Sequence, residues 1–137
     1  MQTFLPYPNF EQSAKCLDNK RLGNQCYREC KTLLCGGWKH HPASKMWQGY
    51  EYALCLYGIA LADEMIRRKF GKPVTGPKWK QWFESERTKY QNTGLPPWFG
   101  SEEYHKSHRS NLLRKNPQWY GQFGWTEPDD LEYIWPI

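Results

Sequence analysis

The stretch PASKMWQGYEYALCLYGIALADEMIRRKF, residues 42–70, decides the fold class of this chain. Its apolar residues recur mostly three or four positions apart, which is the period of an α-helix that buries one face. Pro42 suits the first turn of such a helix, and Gly71 and Pro73 follow its last apolar position. The stretch therefore predicts one long helix from Pro42 to about Phe70.

Further helices are predicted on both sides of this stretch. Before it, Asn9 or Ser13 can cap a first helix that runs to about Leu34, where two glycines follow, and residues 17–20 predict a bend or break inside it. After it, we expect a third helix over residues 78–90 and a fourth from Ser101 to about residue 115.

The tail from residue 118 is aromatic and interrupted by glycine and proline, so we expect an irregular arm. No stretch shows the alternation of a half-buried β-strand. The sequence thus predicts an all-α protein, a single domain over residues 1–137 with about four helices and an aromatic-rich C-terminal arm.

Composition favours a polyanionic partner. The 137 residues include 8 Trp, 9 Tyr and 6 Phe, which is more aromatic surface than core packing needs, and the formal net charge is +5. The last eleven residues contain four acidic and no basic side chains, so the positive charge lies in the body of the chain. A basic body that is rich in aromatic residues is typical of nucleic-acid binding, although a basic surface can also serve solubility alone.

Other classes of protein are disfavoured. No apolar run reaches the roughly 18 residues of a membrane span, and the first residues lack the pattern of a signal peptide. Five cysteines without a secretory signal indicate free thiols in a reducing cytoplasm. Cys26, Cys30, Cys35 and the His40–His41 pair do not have the spacing of a zinc site, so we predict neither a metal nor a cofactor.

The first helix carries a polar face with candidate catalytic residues. Arg21, Gln25, Arg28 and Glu29 lie three to four positions apart, next to Lys20. A carboxylate among arginines can act as a general base, although ordinary ion pairs on a solvated face would show the same spacing.

The fourth helix and three aromatic residues are the other candidates. Polar and basic side chains with few acids between them suit phosphate contacts, and the alternative is a polar surface helix. These candidates are His105, Ser107, His108, Arg109, Asn111, Arg114 and Lys115. Trp47 and Tyr50 have the helical spacing of core residues, whereas Trp98 follows two prolines; all three are candidates for stacking on bases.

Five stretches together resemble a known family. They are NKRLGNQ (19–25), HPASKMW (41–47), PPWFG (96–100), SHRSNLLRK (107–115) and YGQFGW (120–125). The series resembles the pyrimidine-dimer DNA glycosylases of the phage endonuclease V type, most closely their bacterial and phage branch.

The resemblance implies an all-α monomer that binds damaged duplex DNA in the cytoplasm of a bacterium or of a phage-infected host. It implies extrusion of a base, attack of an N-terminal amine on C1′ of the sugar, and a Schiff base. The glycosidic bond then breaks and β-elimination nicks the strand. A glutamate on the first helix, flanked by arginines, assists.

Carried onto this chain, the resemblance makes Met1 the amine, Glu29 the acid/base and Arg21 and Arg28 its catalytic neighbours. It adds Lys20, Gln25 and His41 to the DNA-binding candidates of the fourth helix. Two positions depart from the family pattern.

First, Gln2 follows Met1 where the family exposes a threonine by removing Met, so the nucleophile is the Met1 amine or a lysine. Second, the family glutamate aligns with Arg28 without a gap, and with Glu29 only if one residue is inserted between Gln25 and Glu29. Because one residue turns a helix by about 100°, either Arg28 or Glu29 faces the site.

Two other functions remain open from the sequence. One is a non-catalytic protein that binds distorted or modified DNA. The other is a hydrolase that releases a modified base without a Schiff base, through His41, His105 or His108.

Overall fold

Helices form all the regular structure in the part of the chain, residues 2–136, that a computed structural model describes. The all-α prediction is confirmed. In chain order the elements are α1 (Phe10–Cys16), α2 (Asn19–Gly23), a π-helix (Asn24–Cys30), α3 (Lys31–Leu34), α4 (Pro42–Trp47), α5 (Glu51–Arg68), α6 (Thr75–Arg87), α7 (Glu102–Lys115), α8 (Pro117–Tyr120) and a 3₁₀ turn (Gly121–Phe123).

Helix α5 lies at the centre of the fold. Its apolar stripe, which includes Leu54, Tyr57, Leu61 and Met65, is buried in a core cluster to which α1, the π-helix, α4, α6, α7 and α8 all contribute. Helices α6, α1 and the π-helix pack directly against α5. The helix therefore joins the N-terminal third of the chain to the rest of the core.

The first predicted helix is broken where the sequence indicates. Asn9 caps α1 by accepting a hydrogen bond from the Gln12 backbone N–H (2.8 Å). Helix α1 ends at Cys16, and the chain resumes a helix at Asn19 after an extended Asp18. The following π-helix was not predicted, and it matters for the candidate site.

The prediction of one continuous helix from Pro42 to Phe70 is wrong. The chain leaves the helix after Trp47, passes through Gly49 with φ +86°, and re-enters it at Glu51. The left-handed backbone at Gly49 is a conformation that glycine adopts without steric cost, and the apolar spacing alone does not reveal such a turn. The break separates α4 from α5 and lets the Trp47 indole enter the core.

The second half of the chain follows the prediction more closely. Helices α6 and α7 occupy nearly the predicted ranges, and a short helix opens the aromatic tail. Beyond residue 124 the described tail has neither helix nor strand and lies along α7. Ser110 Oγ accepts from the Leu131 N–H (3.0 Å), and Asn111 Nδ2 donates to the Leu131 carbonyl (3.1 Å). None of the helices described is long and apolar enough to cross a membrane.

The crossing of α5 and α6 depends on a glycine. A Cβ built on Gly58 would lie 2.4 Å from the ring of the buried Phe83, so Gly58→Ala forces the two helices apart. We expect a net loss of about 1–3 kcal/mol in the free energy of unfolding, even though alanine favours a helix. Gly121→Ala is the control, because its Cβ would meet no atom within 4 Å. Equal unfolding free energies for the two variants in chemical denaturation would contradict this view of the crossing.

Candidate functional site

The N-terminal segment, Gln2–Pro6, is buried although it belongs to no helix. Side chains supply its hydrogen bonds. Gln25 Oε1 accepts from the Phe4 N–H (2.8 Å), and Gln25 Nε2 donates to the Gln2 carbonyl (2.8 Å). The Tyr57 hydroxyl donates to the Phe4 carbonyl. One amide of the π-helix and one phenol of α5 thus hold the segment in place.

Helix α7 holds the other side of the same segment. His108 Nδ1 accepts from the Leu5 N–H (2.8 Å), and His105 Nδ1 donates to the Leu5 carbonyl (2.7 Å). His105 Nε2 accepts from the Gly100 N–H (3.0 Å), so its proton is on Nδ1. Arg109 Nη1 donates to the Pro6 carbonyl (2.7 Å). The two imidazoles bind the Leu5 backbone as a neighbouring β-strand would. Both rings are neutral, because each uses one of its nitrogens as a hydrogen-bond acceptor.

This arrangement corrects the prediction of phosphate contacts for five of the seven candidates on α7. His105, Ser107, His108 and Asn111 are at most 1% exposed, and Arg109 is 8% exposed. Besides Pro6, the Arg109 guanidinium binds Glu127 (2.6 Å) and Glu102 (2.8 Å). These five side chains have their polar groups inside the fold, and all of them except Ser107 bind the N-terminal segment or the tail there. The same burial disfavours a hydrolase that uses His105 or His108.

The stacking prediction is also wrong for two of its three residues. Trp47 is 2% exposed and donates from Nε1 to Thr3 Oγ1 (3.0 Å). Trp98 is 6% exposed and donates to the Met46 carbonyl (3.2 Å). Tyr50 is half-buried and packs against the core. Both indoles are core residues that satisfy their own N–H, so they cannot stack on an extruded base.

A basic cleft of about 230 Å³ opens beside the N-terminal segment. It lies between the N-terminal segment, α2 with the π-helix, the C-terminal end of α7 and the tail. Its lining includes three basic side chains and one acidic side chain: Gln2, Phe4, Lys20, Arg21, Asn24, Gln25, Glu29, Lys115 and Tyr133. The cleft therefore brings together four residues predicted from the first helix and one predicted from α7.

Glu29 is the unusual group in this cleft. The residue is 9% exposed, and its Oε2 has no hydrogen-bond partner among the described residues. Oε1 lies 3.8 Å from Arg28 Nε, too far for a hydrogen bond. Burial raises the pKa of the Glu29 carboxyl above its ordinary value, and the Arg28 charge opposes that rise. A buried carboxylate oxygen without a hydrogen-bond partner in a basic cleft is typical of a functional site.

Glu64 in α5 is a second buried glutamate, and its hydrogen-bond partners differ from those of Glu29. It is also buried, but its carboxylate binds both Arg67 and Arg68. Burial would raise its pKa, yet the hydrogen bonds from the two arginines outweigh that effect and lower it. Arg68 continues to Asn19 Oδ1 (3.1 Å) and to the Lys15 carbonyl (2.8 Å), so this network ties α5 to α1 and α2.

The π-helix determines that Glu29, and not the neighbouring Arg28, faces the cleft. Gln25 and Glu29 are both buried on the cleft side, whereas the Arg28 side chain is 66% exposed and does not line the cleft. A π-turn contains one residue more than an α-turn, so it changes the helical register as a one-residue insertion would. That is the insertion which the resemblance requires if Glu29 is to take the place of the family glutamate.

The basic residues of the cleft differ in how they are held. Arg21 Nη1 binds Asp18 (3.1 Å), and Asp18 in turn accepts a bond from the Tyr120 hydroxyl. Lys20 is exposed at the rim. Desolvation, helped by the charges of Arg21 and Arg114, lowers the pKa of Lys115.

Other predicted residues lie elsewhere. Met1 is outside the described residues. His41 caps α4 by accepting from the Ala43 N–H (3.0 Å) and does not line the cleft. Arg114, which precedes Lys115 in the sequence, is exposed and does not line the cleft either. Tyr133 lines the cleft but was not predicted, because nothing in the tail sequence shows where it folds back.

Comparison with protein families gives a match over residues 1–75 to the model described as pyrimidine dimer DNA glycosylase. The chain belongs to this family. The matched region contains the N-terminal segment, the π-helix and α5, and hence Gln25, Glu29 and Tyr57. Membership of this family implies DNA glycosylase activity and a DNA substrate. Comparisons with curated proteins and with solved structures gave no match.

The neutral imidazole of His108 makes the stability of this glycosylase pH-dependent. Burial, and next the neighbouring His105, lower the pKa of His108 to about 3, whereas an imidazole in the unfolded chain titrates near 6.5. Below pH 6.5 the unfolded chain therefore takes up a proton that the folded chain does not. Stability falls as the pH falls from 6.5 toward 3, by about 2 kcal/mol from His108 alone at pH 5.

Denaturant unfolding at pH 7 and pH 5 measures this loss. His108→Gln keeps a side chain able to accept from Leu5 without titrating, and should show a smaller difference between the two pH values. His40→Gln, at an exposed histidine, should keep the wild-type difference. If His108→Gln retains the full pH dependence, the acid sensitivity has another source.

Proposed function

We propose that this DNA glycosylase releases a damaged or modified pyrimidine through a Schiff base and then nicks the strand as an AP lyase. The observation that carries the proposal is the buried carboxyl of Glu29, whose Oε2 has no hydrogen-bond partner among the described residues and which lies in a basic cleft beside the N-terminal segment. An acid and an amine at one site are the two groups that this chemistry needs.

The position of Gln2 supports the Met1 amine as the nucleophile. Gln2 lines the cleft, and its carbonyl is held by Gln25. Met1 directly precedes Gln2 in the sequence, which supports its α-amine as the candidate nucleophile for this cleft.

In the proposed reaction the amine nitrogen forms a bond to C1′ while the bond from C1′ to the base breaks, and the base leaves with a proton. The sugar ring opens to an iminium. Loss of a proton from C2′ then expels the 3′ phosphate, and water hydrolyses the imine to restore the amine. The raised pKa of Glu29 suits a group that gives a proton in one step and takes one in another.

The shape and charge of the cleft suit one extruded nucleotide. Its volume of about 230 Å³ is smaller than a typical pocket for a drug-sized ligand, so it suits a sugar and a single base better than an intact stacked pair. The target must therefore leave the helix, which costs least for a damaged base. Lys20, Arg21 and Lys115 would hold the flanking phosphates.

Lys115 is the alternative nucleophile. It lines the cleft, and desolvation lowers the pKa of its ammonium, as a lysine that forms Schiff bases requires. A third possibility is a protein that binds DNA without catalysis, which would not need the Glu29 carboxyl. One experiment distinguishes attack by Met1, attack by Lys115 and binding alone.

The experiment is borohydride trapping on duplexes that carry a cyclobutane dimer, an abasic site or a modified pyrimidine. The wild type should form a covalent adduct. Acetylation of the N-terminus should abolish the adduct if Met1 attacks, and Lys115→Arg should abolish it if Lys115 does. Glu29→Gln should lower turnover by about 100-fold or more while DNA binding persists.

Glu103→Gln is the matched control, since it removes an equal charge from an exposed site on α7 and should leave turnover unchanged. Binding of DNA without adduct, base release or nicking on any of these substrates would reject the proposed chemistry and leave a binding protein.

Salt dependence tests the phosphate contacts. If Lys20 and Lys115 each contact one phosphate, Lys20→Ala and Lys115→Ala should each reduce the slope of log affinity against log salt by about one unit. Lys72→Ala, an exposed lysine outside the cleft, should not change the slope. An unchanged slope for both cleft variants would place the DNA on another surface.

A further inference from the structure

The loop between α3 and α4 carries an exposed tryptophan that lies outside the core. Trp38 is 51% exposed, whereas the other seven tryptophans are buried or half-buried. Its backbone has φ +58°, a left-handed conformation that is unfavourable for a bulky residue. A large apolar ring held in water by a strained backbone adds nothing to the core, and such outliers cluster at binding sites.

A row of aromatic rings connects Trp38 to the cleft. The Trp38 ring lies 6.0 Å from the His41 ring, and His41 lies 5.4 Å from Trp135. Trp135 lies 5.8 Å from Tyr133, which lines the cleft with Glu29. At 3.4 Å per nucleotide along a strand, these three contacts span at most about five nucleotides. Trp38 is therefore within reach of the same bound DNA.

The charge around Trp38 complements a phosphate backbone. Residues 30–50 contain three lysines and two histidines but no acidic residue. Lys39 and His40 follow Trp38 directly and are exposed. Both also line a second cavity of about 280 Å³, where Lys45 adds a further positive charge and Glu51 is the one acidic residue of the lining. An exposed aromatic ring beside lysines is the combination by which proteins stack on a base while holding the backbone next to it.

We infer that Trp38 stacks on a nucleobase of the bound DNA, a few nucleotides from the one in the cleft, and that Lys39 and His40 contact the adjacent phosphates. This inference rests on the proposed function, because it needs DNA bound at the Glu29 cleft. It adds a second contact that holds the distorted duplex open on the side of the α3–α4 loop.

The test uses the full chain and duplexes with a stable abasic-site analogue, in which 2-aminopurine replaces one base at a time on either side. Wild-type protein should change the 2-aminopurine fluorescence at one or two positions within five nucleotides of the abasic site. Trp38→Ala should abolish that change and weaken binding by roughly 5- to 100-fold, the effect of losing one stacked base. Trp38→Phe should restore part of both.

Val74→Ala is the control, because it removes an exposed apolar side chain (67% exposed) that lines neither the Glu29 cleft nor the cavity beside Trp38. Circular dichroism and thermal melting should show that all variants fold as the wild type does. Binding by Trp38→Ala within twofold of wild type, with an unchanged 2-aminopurine signal, would overturn the inference while the proposed function stands. Absence of DNA binding by the wild type would overturn both.

Discussion

The burial of the Gln2–Pro6 backbone is the constraint on which the rest of the structure depends. An extended segment inside a helical protein has no strand to pair with, and each unpaired polar group there would cost about 1–3 kcal/mol. The chain meets this need with side chains from three elements. Gln25, Tyr57, His105, His108 and Arg109 all donate to or accept from this segment. The relative positions of the π-helix, α5 and α7 follow from this shared partner.

The same constraint explains why α7 was misjudged from its sequence. A helix with imidazole, hydroxyl, amide and guanidinium groups and few apolar residues has the composition of a solvated surface. His105, His108 and Arg109 are buried because they bind backbone groups near the other end of the chain, about a hundred residues away. Spacing along one helix contains no information about such a partner, so the pattern could not indicate which polar groups are internal.

Where local rules decide, prediction from sequence succeeded. The all-α class, the break at residues 17–20 and the irregular tail follow from periodicity, capping and the positions of glycine and proline. The first helix also indicated Glu29, but only as one of two possible residues. The choice between Arg28 and Glu29 depended on a single π-turn, and intrinsic helix propensities do not distinguish it from an α-turn. Gly49 shows the same limit, since a single left-handed residue divided a helix that its apolar spacing predicts as continuous.

The hydrogen bonds between Leu5 and helix α7 also constrain the order of folding steps during synthesis. During synthesis the N-terminal segment leaves the ribosome well before residues 105–109 exist, and its backbone must remain bound to water until they arrive. Closing a loop of about a hundred residues is slow compared with forming any single helix. The cleft, which Lys115 and Tyr133 also line, is thus among the last parts of the molecule to assemble.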